Sequence, residues 1–401
     1  IFYLSLIVSS YGAGSSDSSS SSNYDKGASL IKKAKKLESK GKIEKANKRY
    51  EKAFEYLLKS NEKNPNQADT LNYLGFALRK LGEFGKAEKY YLENQILKRQ
   101  YNVDSEVVKE YFELNNVVSG LFAITQRLFS IQFNEIKNAS VWHKDVKMYR
   151  IIDNATDRIL GYFYLDLFPR KGKYSGAAEY SIISGKSIGT EYQKPMASLV
   201  CNFSPPAQDL PSLLLHEEVE TFFHEFGHLL HEILTTAELV SQSGTTVAMD
   251  FVEMPSQIFE NWAWNKESLK LFAKHYRTGE LIPEELLDRM IAARNLQSGN
   301  NLLQQIFYAS LDLTYFDGFE PTNLYSTTHV LEILQNDITP YSFTSGTYQQ
   351  ASFDHLIDYA TSYYGYLWSE VFAQDMYSVF ESEGILNPLV GDRFRKIIFD
   401  T

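Results

Sequence analysis

Apolar residues recur every three or four positions over most of this chain, the spacing of helices that bury one face. Between residues 148 and 203 the pattern shortens to alternation, which predicts strands. Met148–Ile152 reads as one strand, Asp153-Asn154 as a turn, and Ile159–Leu167 as the hairpin partner. Gly176–Ile182 and Ala197–Phe203 read as two more strands. From Glu217 onward nearly everything is helical in pattern. Gly176 and Ala177 bring little bulk to their strand, so another backbone can approach closely, either a peptide adding itself as a strand or a tightly packed internal neighbour.

The N-terminal quarter has a different texture. Residues 1–8 are apolar and run into small residues up to Gly14, like the end of a signal peptide without a starting Met or a basic n-region. Residues 15–23 are a Ser-rich tract that reads as a flexible linker. In 24–91, Gly41, Ala46 and Tyr50 recur as Gly82, Ala87 and Tyr91, a constant offset of 41. With Leu71, Leu74, Gly75 and Leu78, the second copy resembles a tetratricopeptide repeat, and a plain amphipathic hairpin is the simpler alternative. About two such units are present, fewer than the three such stacks usually need, so they are expected to lean on the next domain of the chain.

Composition narrows the function classes. At 401 residues the chain has room for two or three domains, and 44% hydrophobic with 22% charged residues is ordinary for a globular protein. The net charge of -10 argues against a nucleic-acid binder. Residues 24–100 nevertheless carry 19 Lys and Arg against 10 Asp and Glu, so the remainder is strongly acidic, as in a chain of two modules. A single cysteine, Cys201, excludes an intramolecular disulfide and a cysteine-rich zinc site. No apolar stretch reaches the length of a membrane span.

The chemistry concentrates in His224-Glu225-Phe226-Gly227-His228. On a helix, imidazoles four residues apart share a face and can grip one metal ion, and Glu225 projects beside them where it can take a proton from water. A catalytic zinc usually takes a third protein ligand. His231 shares the same helix face, but a third ligand so near along one rigid helix would strain a tetrahedral site. Glu253 opens a second helical run, with Pro255 suited to its first turn, and Asp250 and Gln257 lie close enough to orient ligands. Tyr359, Tyr363 and Tyr366 fall at i, i+4 and i+7, one helical face of phenols that can either pack a core or donate to a developing oxyanion. His143, His216, His275 and His329 sit in no ligand spacing.

Thr221–His228 together with Asp250–Gln257 resembles the thimet oligopeptidase family of zinc peptidases. The likeness runs from Leu92 to Lys396 and includes Phe163–Leu167, Gly172-Lys173-Tyr174 and Tyr363–Glu370. The resemblance implies a mainly helical, zincin-like catalytic domain with a small β-sheet, and endopeptidase action on short unstructured peptides inside a channel. It implies that His224, His228 and Glu253 bind one zinc ion per chain and that Glu225 is the general base. It further implies that Tyr363 and Tyr366 stabilise the intermediate, with His355 and Tyr359 at the substrate.

Two departures temper that expectation. His355 and Tyr359 stand one residue closer than the family spaces them and lack its intervening Gly pair, which predicts a stiffer loop. Most of the family's N-terminal helical half, one channel wall, has no counterpart, nor do its Gly-rich stretch and closing helices. The expected organisation is therefore a leader remnant and linker at 1–23, a tetratricopeptide-like module at 24–91 and a shortened catalytic domain at 92–401. Expected partners are short peptides and a protein bound by the helical repeats, with no nucleic acid and no stable membrane span. The rival expectation is a catalytically impaired scaffold. Family resemblance places the chain in the cytoplasm; a true signal remnant would make it secreted or periplasmic.

Overall fold

The computed structural model describes residues 23–38, 42–63, 97–98, 100–207, 210–322 and 325–400. They belong to two compact units, one containing Val108–Leu287 and Thr361–Thr401, the other containing Asp288–Ala360 and the described residues up to Val107. The second unit holds helices α1 (Asn23–Glu38) and α2 (Ile43–Lys63) as an antiparallel pair. Ile31, Ala34, Ala46, Tyr50, Ala53 and Leu57 bury the contact between them. Leu71 to Tyr91, the second copy of the repeat, and Gly41 of the first lie outside the described residues.

The first unit is built around a sheet. Helix α3 (Leu114–Phe129) starts where the Glu113 side chain accepts from the Asn116 N–H at 3.0 Å, and it buries Val117, Leu121, Ile124 and Leu128 along one face. Strands come next as β1 (Ile131–Glu135), β2 (Lys147–Asp153), β3 (Ile159–Asp166), β4 (Ala178–Ile183), β5 (Lys186–Ile188), β6 (Glu191–Gln193) and β7 (Met196–Val200). Five pair in the order β1-β2-β3-β7-β4, and β5-β6 form a separate hairpin. Only β3 and β7 run parallel, so the sheet is mixed, and β4 is left at one edge. The four strands expected from alternation are present; β1 and the β5–β6 hairpin are additional.

Helix α4 (His216–Leu234) lies against this sheet, and α5 (Met254–Glu260) packs on α4. Then come α6 (Ser298–Phe316) and α7 (Thr327–Ile338) in the second unit, and α8 (Gly365–Glu383) and α9 (Pro388–Phe394) back in the first. The chain is mostly helical with a small mixed sheet, as the pattern predicts. Among the described residues no helix is long and apolar enough to cross a membrane.

The turn between β3 and β4 is held by buried charge. Asp166 accepts from Arg170 Nη1 and Nη2 at 2.6 and 2.7 Å and from Trp142 Nε1 at 2.8 Å, and pairs with Lys173 Nζ at 2.9 Å. Lys173 also donates to the carbonyls of Phe168 and Cys201, tying the turn to the end of β7. Burial pushes the Asp166 carboxyl up, but the bonds from Arg170, Trp142 and Lys173 outweigh it and hold it down at about 2. Asp166→Asn leaves the buried Lys173 ammonium without its counter-charge, so an unfolding titration is expected to show a loss of about 3–5 kcal/mol. Because the folded pKa lies below the usual 3.8, this contribution is complete above that value and disappears as pH falls through 3.8 toward 2. The acid limb of a stability–pH curve should therefore flatten in the variant.

Candidate metal centre

Successive side chains turn by about 100° around a helix, so in the run 224–228 Phe226 and Gly227 face different neighbours while His224 and His228 share one face. Phe226 points into an aromatic cluster, with ring centroids 5.8 Å from Phe122, 5.8 Å from Phe133 and 6.1 Å from Phe163. That contact fixes the rotation of α4 on the sheet. Gly227 faces α5 so closely that a Cβ there would stand 2.4 Å from the Pro255 carbonyl oxygen and 2.6 Å from the Ser256 Cα. This near-contact of two backbones carries Glu253, two residues before Pro255, up to the histidines.

His224, His228 and Glu253 converge, their candidate ligand atoms all within 4.8 Å of one another. Glu253 Oε2 lies 3.2 Å from His224 Nε2 and 3.1 Å from His228 Nε2. Ligands about 2.1 Å from a tetrahedral centre stand about 3.4 Å apart, so these separations suit one small ion. Ser256 Oγ donates to Glu253 Oε2 at 3.2 Å, and His224 Nδ1 bonds Glu260 Oε1 at 2.7 Å. Glu260 thus fixes the ring so that Nε2 faces the cluster, the usual support for a ligating imidazole. The donor set fits a divalent metal. Glu260→Gln is expected to weaken metal affinity by about 10–100-fold in a competition titration with a chromophoric chelator. Unchanged affinity would mean the contact orients nothing.

The charges suit the same role. Burial raises the Glu253 carboxyl, yet the His228 and His224 imidazoles overcome this and hold it below its ordinary range, ionised. Glu225 is also buried, and desolvation leaves its carboxyl raised despite His224 and His228 nearby. The Glu179 backbone on β4 pulls it back down in part, so the edge strand reaches the second residue of the motif. His231 stands apart, buried against Phe399 with burial pushing its imidazole down to about 3. Among the described residues it does not belong to the cluster.

Gly176 and Ala177 immediately precede β4, and Asn202 Nδ2 donates to the Gly176 carbonyl at 2.8 Å. Tyr363 and Tyr366 lie together with ring centroids 5.2 Å apart. The single helical face expected for Tyr359, Tyr363 and Tyr366 is not formed. Thr361 has φ 65°, in the left-handed region, and α8 starts only at Gly365. Tyr359 comes after a short helical turn, His355–Asp358, where its ring lies 5.9 Å from that of His355. His355 and Tyr359 belong to the second unit, the other site residues to the first. Gln257 and Asp250, expected to orient the ligands, bond instead to Tyr366 and Tyr364. Ser256 and Glu260 take the orienting role, and sequence reasoning missed both. Glu260 carries a legible signal, standing two helical turns after Glu253.

The chain is 41% identical over 310 residues to thimet-like oligopeptidase of Dictyostelium discoideum, covering 76% of this chain and 46% of that protein. It is 36% identical over 366 residues to oligopeptidase A of Escherichia coli (strain K12), covering 85% and 54%. It is 38% identical over 320 residues to saccharolysin of Saccharomyces cerevisiae, covering 77% and 45%. The chain spans about half the length of these curated relatives. The profile of Peptidase family M3 matches residues 44–400, beginning inside α2. On this match and these relatives, the chain belongs to Peptidase family M3.

Proposed function

We propose that this chain hydrolyses internal peptide bonds of short, unstructured peptides, using one zinc ion held by His224, His228 and Glu253. The observation that carries the reading is the convergence of these three donors, with Glu225 beside them and Glu260 behind His224. Two imidazoles and a carboxylate suit zinc among the common divalent ions. When bound, zinc polarises the scissile carbonyl and makes water acidic enough to be deprotonated near neutral pH.

The remaining steps belong to the chain's own residues. Glu225 accepts the proton of the attacking water and delivers it to the leaving amine, and its raised carboxyl suits both halves of that exchange. Tyr363 and Tyr366 donate phenol hydrogen bonds to the carbonyl oxygen as negative charge develops on it. The edge of β4, with Gly176 and Ala177 just before it, binds the substrate backbone as an added strand. His355 and Tyr359 contact the substrate. The test is a short peptide blocked at both termini and analysed by mass spectrometry. Cleavage at internal bonds is the expected result, while a blocked peptide left intact beside an unblocked counterpart trimmed from its ends would exclude an endopeptidase.

A further inference from the structure

The start of α8 is fastened to the segment that carries Glu253. Gln257, one turn beyond Glu253, donates from Nε2 to the Tyr366 carbonyl at 2.9 Å. Ser369 Oγ donates to the Asp250 carbonyl at 2.7 Å, and Tyr364 Oη donates to Asp250 Oδ2 at 3.0 Å. Gly365 fits under the same stretch, since a Cβ there would stand 2.9 Å from the Met249 carbonyl oxygen and 3.1 Å from the Asp250 Cα. Gln257 and Ser369 are buried, so breaking either bond strands polar groups away from water. Helix ends ordinarily fray. This one is gripped from three directions, two of them on main-chain atoms.

We propose that Gln257, Asp250 and Ser369 form a clamp that sets the Tyr363–Tyr366 turn at a fixed distance from Glu253. They are positioning residues, acting through the two phenols. The proposal rests on the function proposed above and adds how its hydrogen-bond donors are held. The clamp couples the donors to the segment bearing the third metal ligand, so carbonyl polarisation and oxyanion stabilisation share one rigid frame. A misplaced donor weakens transition-state binding while leaving ground-state binding nearly intact. Its loss should therefore appear in kcat and not in KM.

Gln257→Met removes the donor and nearly conserves volume. The expected result is a kcat lowered by about 10- to 100-fold with KM changed less than about threefold. Affinity for a phosphinic peptide, which mimics the tetrahedral intermediate, should fall by the same factor as kcat. Asp250→Asn, whose amide oxygen still accepts from Tyr364, should recover most of what Asp250→Ala loses. Should Gln257→Met fail to fold, Tyr364→Phe at the exposed end of the clamp gives the same readings. Amide hydrogen exchange supplies a readout free of activity: residues 363–369 should exchange faster in the variant while α4 does not change. Unaltered exchange there, or kcat and KM shifting together, would overturn the clamp. If the wild-type chain cleaves no peptide, the proposed function fails, and exchange at 363–369 still decides for or against the clamp.

Discussion

Glu225→Gln is expected to keep its metal and to lose peptide turnover by about 10²–10⁴-fold. The substitution preserves the shape of the buried side chain, so the neighbouring backbone has no reason to move. In the proposed mechanism, what disappears is the ability to hold a proton between the attack of water and departure of the amine. Glu225 is not one of the three converging donors, so metal content should stay as in the wild type. Turnover unchanged in this variant, measured with an internally quenched fluorescent peptide, would remove Glu225 from the mechanism.

Gly227→Ala is expected to be as damaging without touching any ligand. The added methyl would sit 2.4 Å from the Pro255 carbonyl oxygen and 2.6 Å from the Ser256 Cα, and both obstacles are backbone. Relief requires α5 to retreat from α4 by about 1 Å, well outside the ±0.2 Å tolerance of metal coordination. Glu253 moves with α5, so metal binding weakens and turnover falls by about 10²-fold or more. Overpacking also costs about 1–3 kcal/mol of stability. Elemental analysis of the dialysed variant, with its unfolding curve, checks both effects. Full metal content would show that the contact at Gly227 does not place Glu253.

The paired histidines are legible because helical spacing dictates which side chains share a face, and the third donor is legible from the usual two-histidine, one-carboxylate set and the family resemblance. The pattern could place His224 and His228 together, and a second helix starting near Glu253 was the natural source of a carboxylate. Which residues supported them was harder to read, since that depends on how α4 and α5 approach, and the approach is set by Gly227 and Phe226. Glu260 could have been anticipated from the unsatisfied Nδ1 that any ligating imidazole presents. The partners of Gln257 and Asp250 could not, because they lie more than a hundred residues away on or beside α8. The tyrosine face failed for a local reason. Periodicity assumes one continuous helix, and the left-handed Thr361 breaks it between Tyr359 and Tyr363. Strand β1 leaves no clear alternation to read, because Ile131 to Glu135 is short and is separated from α3 by a single residue, Ser130. For residues 24–91 the repeat reading rests on composition and spacing, and part of that segment falls outside the described residues.

In the proposed function, hydrolysis depends on one zinc ion held by His224, His228 and Glu253. Removal and return of the metal on the purified chain tests this dependence directly, with cleavage of a quenched peptide as the readout. Chelation should abolish cleavage, and added zinc should restore it in proportion until one ion per chain is bound. A metal-free chain that cleaves at an undiminished rate would contradict the assignment.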